Sequence, residues 1–136
     1  MKLRMLISLA VLVSGAIHLW LWIDGFRDLT VIGPAFLLNV VAAAVIAVLL
    51  LAWQHWLPLL LSLGFGASTL VAYLISATVG LFGVHEVWTG FPVVAAEVAE
   101  IVAIVGSAVA LWHGYRLTSP AQVRHPFAAV HPPRAD

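Results

Sequence analysis

Two carboxylates in the last apolar stretch of the chain pose the chemical question. Glu97 and Glu100 lie in a run from Val93 to Trp112 that is otherwise dominated by Val, Ala, Ile and Gly. An ionisable side chain at bilayer depth costs on the order of 3 kcal/mol even on lenient insertion scales, so such groups usually face a bundle interior and find a partner. Three residues apart, the two glutamates share one helix face. They cannot both ionise comfortably there without a cation or a proton between them. Imidazole and carboxylate together suit Zn, Cu, Fe or Mn. His18, Glu97 and Glu100, with His85 and Glu86 in the loop just ahead of them, therefore form a candidate ligand set for a divalent metal. The chain has no cysteine, which removes thiolate sites, disulfides and haem-attachment motifs. The bland reading stands beside this one: a lone histidine in a span is more often a hydrogen-bonded core residue, and polar groups in spans often only hold helices together.

What must position these groups is a membrane bundle. Of 136 residues, 63% are hydrophobic and 9% charged, with a mean hydropathy of +1.09. A soluble domain carries roughly 25% charged residues. The lipid bilayer is thus the expected surroundings, and no nucleic-acid partner is expected. Apolar runs long enough to span a hydrocarbon core occur at about 5–23, 31–53, 59–82 and 92–112. The fold class expected is an all-α membrane protein, an antiparallel up-down bundle of four transmembrane helices within residues 1–114. Residues 115–136, with Pro120, Pro126, Pro132 and Pro133, read as a disordered cytoplasmic tail. Ser14-Gly15-Ala16 resembles a signal-peptide cleavage site, but the apolar stretch continues past it through His18 to Trp22.

Order and orientation follow from the loops. The turn around Gln54-His55-Trp56 is so short that spans two and three must be antiparallel neighbours. Gly64, Gly66, Ala67 and Ser68 form a small-residue stripe that lets another helix approach span three. Lys2, Arg4, Arg116, Arg124 and Arg134 fall on one side and only Arg27 on the other, so both termini are expected in the cytoplasm of a plasma-membrane protein. The six tryptophans lie near span ends and read as an interfacial belt.

Depth then brings polar residues together. At 1.5 Å rise per residue, His18, Asn39, Tyr73, Ser76, Glu97 and Glu100 all lie about 8 to 14 Å below the outer ends of their spans. Each span thus contributes a polar group at one level. Asn39, Tyr73 and Ser76 are the expected supporting cluster, and His85 and Glu86 a lid over it.

The string Tyr73-Leu-Ile-Ser76-Ala-Thr78-Val-Gly80-Leu81, followed by His85-Glu86, Gly90-Phe-Pro92 and the two glutamates, resembles a group of small four-span membrane proteins of actinobacteria whose first span carries a histidine like His18. That group commonly has an arginine where this chain has Ala77. The likeness to DoxX-like four-span proteins rests on span count alone. The resemblance implies the topology and an actinobacterial origin, and little of function. Three expectations follow: an accessory or assembly subunit that associates with other membrane subunits or with itself; a metal- or redox-cofactor-binding module; and an oligomeric transporter or proton-relay component. Loops of a few residues leave no room for a separate catalytic domain, so an enzyme is not expected.

Overall fold

A computed structural model describes residues 1–117, the side chains through Gly114. Four long helices, α1 (Lys2–Asp24), α2 (Ile32–Ala52), α3 (Leu57–Thr78) and α4 (Phe91–Leu117), carry the chain, with a short 3-10 turn at Phe26–Asp28. All four are long and apolar enough to cross a membrane. The protein is a multi-pass, all-helical membrane protein, an up-down four-helix bundle. Most of the expected tail lies outside the described residues.

The helix ends follow from local chemistry. Pro34 sits in the first turn of α2 and Pro58 in that of α3, where a missing N–H breaks no helical bond. The third span was expected to reach residue 82, yet α3 stops at Thr78. Gly80 takes a left-handed conformation (φ 88°) and its N–H closes on the Ile75 carbonyl at 3.0 Å, which terminates the helix. Leu81 and Val84 then pair through both backbone bonds, 2.8 and 2.9 Å, around Phe82 and Gly83, both at positive φ. That is the geometry of a tight two-residue hairpin turn, and it folds the α3–α4 loop back on itself.

The helices do not pack evenly around the bundle. α1 lies against α2 and α4, and α3 lies against α4, whereas α2 and α3 touch little beyond their connecting turn. The two are neighbours through a short turn, as expected, but they splay apart. Ile7, Val11, Ala43, Ile46, Leu50, Leu59, Phe65 and Ala103 form the packed core. In lipid this packing, rather than escape from water, is what holds helices together. Gly66 sits so near α4 that a Cβ there would lie 2.9 Å from the Glu100 carbonyl oxygen, so a small residue is required. The expected small-residue stripe is divided: Gly64 meets nothing within 4 Å and, with Ser68, faces open space beside α2.

Arg4 fixes the end of the splay. Its guanidinium donates to the Trp53 carbonyl at 3.0 Å and the His55 carbonyl at 2.5 Å. The His55 ring stacks on Trp53 (4.8 Å) and is tilted against Trp56 (5.3 Å). The α2–α3 turn is thereby tied to the start of α1, and the two helices diverge from there.

Candidate functional site

The divergence of α2 and α3 leaves a cavity of about 560 Å³ between them. Ile46 and Phe65, members of the core, line its deep end. Leu38, Leu60 and Leu61 line it and are themselves exposed, Leu38 at 71%, so its mouth opens sideways between the two helices.

Every helix contributes a polar group to the wall. His18 from α1, Asn39 from α2, Tyr73 and Ser76 from α3, Glu97 and Glu100 from α4, and Glu86 from the loop all line the cavity. Of the eight residues singled out from the sequence, only His85 does not. It is exposed, and its ring lies against Gly80, where a Cβ would come within 2.5 Å of Nε2.

The deepest polar contact joins α1 to α4. Ser14 Oγ donates to Glu100 Oε1 at 3.3 Å, with Ser14 fully buried and Glu100 3% exposed. The Thr69 hydroxyl of α3 lies beside the same carboxyl. His18, one turn on from Ser14, has Nδ1 2.8 Å from the Ser14 carbonyl, and its ring meets Phe36 edge-on at 5.1 Å. Phe36 in turn stacks on Phe26 at 5.0 Å, which seats the α1–α2 loop. Asn39 Oδ1 is buried without a hydrogen-bond partner.

Tyr73 and Ser76, whose shared face was expected to meet the glutamates, mainly hold the loop. Ser76 Oγ donates to the Val84 carbonyl at 2.9 Å and Tyr73 Oη to the Val87 carbonyl at 3.1 Å. The Tyr73 ring meets Trp88 edge-on at 5.9 Å, and its hydroxyl also lies beside Glu97. With Leu81, Val84 and Glu86 in the wall, the α3–α4 loop forms one end of the cavity. Of the two residues expected as a lid, Glu86 is in the cavity wall and His85 is outside it.

The five residues taken as a metal set do not converge. Among the described residues, no three His, Asp or Glu side chains lie where they could hold one ion. Glu100 is turned to Ser14, the His18 Nδ1 is bonded within its own helix, and His85 faces away. The arrangement is instead that of a small-molecule pocket, mostly apolar with a few convergent polar groups, within the roughly 300–1,000 Å³ such pockets span. Ser68 and Thr69 complete the polar wall, and they were missed together with Ser14, which is fully buried behind it against Glu100. The available signal was the spacing of four between Ser14 and His18, which puts both on one face of α1. Comparisons with protein-family models, with curated proteins and with solved structures found no match.

Proposed function

We propose that this protein binds a small amphipathic molecule within the membrane, admitting it from the bilayer between α2 and α3 and seating its polar end against the wall formed by His18, Asn39, Glu97 and Glu100. The observation that carries the reading is the cavity itself, with polar residues from all four helices on one wall and an exposed leucine rim. Helices that meet only to pack close up, and protein interiors hold few voids larger than a water molecule. A space of about 560 Å³ that opens to the bilayer is suited to take an occupant from it. This reading is more specific than an accessory subunit held by packing alone, and it is compatible with service to a larger complex. The membrane is taken to be the plasma membrane, and both termini are taken to be cytoplasmic because Lys2, Arg4, Arg116, Arg124 and Arg134 fall on one side of the spans and only Arg27 on the other.

Native mass spectrometry of the full chain released from mild detergent tests this reading. The parent is expected to carry a bound small molecule that the Gly64→Phe variant has lost, since Gly64 faces the cavity with nothing within 4 Å of its missing Cβ. An identical bound complement in both proteins, or phospholipid alone, would overturn it.

A further inference from the structure

The hydroxyl protons along the cavity wall are already committed, and we infer from this that the occupant is an amphipathic cation whose N–H groups meet an acceptor face. The inference rests on the cavity being the binding site proposed above. A hydroxyl has one proton to give. Ser68 gives its proton to the Phe65 carbonyl at 3.0 Å, and Thr69 to the carbonyls of Phe65 at 2.8 Å and Gly66 at 3.1 Å. Tyr73 and Ser76 give theirs to the Val87 and Val84 carbonyls of the loop, and Ser14 gives its own to Glu100. The Ser14 carbonyl opposite His18 Nδ1 can only accept, so that nitrogen carries the proton, and in the neutral ring Nε2 is left as an acceptor.

What the wall retains is lone pairs. Glu97 and Glu100 bring carboxyl oxygens, and the buried Asn39 Oδ1 has no partner at all. A buried acceptor left unpaired is costly, so a ligand donor that reaches Asn39 removes that cost on binding. Apart from the proton that the two glutamates share when no cation is present, the Asn39 amide N–H₂ is the uncharged side-chain donor left among the described lining residues, and no described Lys or Arg lines the cavity. An anion would meet carboxylates with no cation to receive it. A hydrocarbon would leave Asn39 Oδ1 unpaired. A bare divalent ion lacks three converging ligands among the described residues. An ammonium on an apolar body satisfies both halves of the pocket: charge-assisted bonds to carboxylate are the strong kind, and the Phe36 and Phe65 rings and the aliphatic floor take the body.

The test uses three probes with one apolar body, naphthylmethylamine, naphthylmethanol and naphthoate. Each is titrated calorimetrically into the full chain in mild detergent against a detergent blank. The amine is expected to bind about tenfold or more tighter than the alcohol, the equivalent of one charge-assisted bond, with naphthoate the weakest. Glu97→Gln should abolish the preference of the amine over the alcohol while the alcohol still binds, which shows the cavity intact. Asn39→Leu should reduce amine binding in the same direction. Equal binding of amine and alcohol to the parent would overturn the cation inference and leave the pocket standing, as would a preference untouched by Glu97→Gln. No saturable binding of any probe, or binding that survives Gly64→Phe, would overturn the pocket as well.

Discussion

Ser14 and Glu100 tie α1 to α4 deep in the bundle, hydroxyl to carboxyl at 3.3 Å. Ser14 lies ten residues from Asp24 and Glu100 nine from Phe91, so by helical rise the contact is about 14 to 15 Å from the end of each helix. Near the middle of a hydrocarbon core the carboxyl has no water to turn to, and the serine is what makes its burial tolerable.

Ser14→Ala should therefore cost about 1–3 kcal/mol, the range for a buried hydrogen bond lost with its acceptor left behind. Glu100→Gln keeps an oxygen for Ser14 to donate to and should cost less than Glu100→Ala. Thermal unfolding in one detergent checks the order. If Gln proves as damaging as Ala, the hydrogen bond is not what matters at this position.

The polar level was legible in the sequence, because depth along a regular helix needs only a residue count. Six residues from four spans placed that way line one cavity. The cavity itself was not legible, since the splay of α2 from α3 is a matter of which helices pack, and propensity and hydropathy do not encode it. Ser14 reads as a neutral helix residue until α4 is laid beside it. His85 and Glu86 were read as a pair, but the loop places Glu86 in the cavity wall and turns the His85 ring against Gly80, which a residue count through an irregular loop cannot anticipate.

The α3–α4 loop should loosen when its hydroxyl ties are cut. Tyr73→Phe keeps the ring against Trp88 and removes the bond to the Val87 carbonyl; Ser76→Ala removes the one to Val84. Each should raise amide hydrogen exchange at Val84 to Val87, with a loss of about 1 kcal/mol of local stability. Unchanged exchange in the double variant would show that the loop is held by other contacts.

Two glycines two residues apart on α3, and so on opposite sides of the helix, should respond oppositely to alanine. At Gly66 a Cβ would lie 2.9 Å from the Glu100 carbonyl oxygen and from the Ile104 side chain, so Gly66→Ala forces α3 and α4 apart and should cost about 1–3 kcal/mol. At Gly64 there is open space, and Gly64→Ala should stabilise the helix by about 0.5–1 kcal/mol. Equal effects in thermal unfolding would mean that the α3–α4 approach is looser than drawn.

Orientation has its own test. Single cysteines replacing Asp28 or Glu86 should react with a membrane-impermeant maleimide in intact cells, while one replacing Gln54 should react only after lysis. Arg4→Gln, which loses the guanidinium bonds to Trp53 and His55, should increase the reactivity at position 54 in lysed cells. Labelling of position 54 from outside would reverse the orientation.

The most direct measurement of the central claim is photoaffinity mapping in the membrane with a diazirine-tagged naphthylmethylamine. Adducts are expected on the cavity wall, at Phe36, Phe65, Ala72 and Ala96, and should be suppressed by excess untagged amine. They should also be absent from the Gly64→Phe variant. Adducts spread over exposed Val41, Val48 and Ile101, insensitive to competition and to Gly64→Phe, would contradict the account.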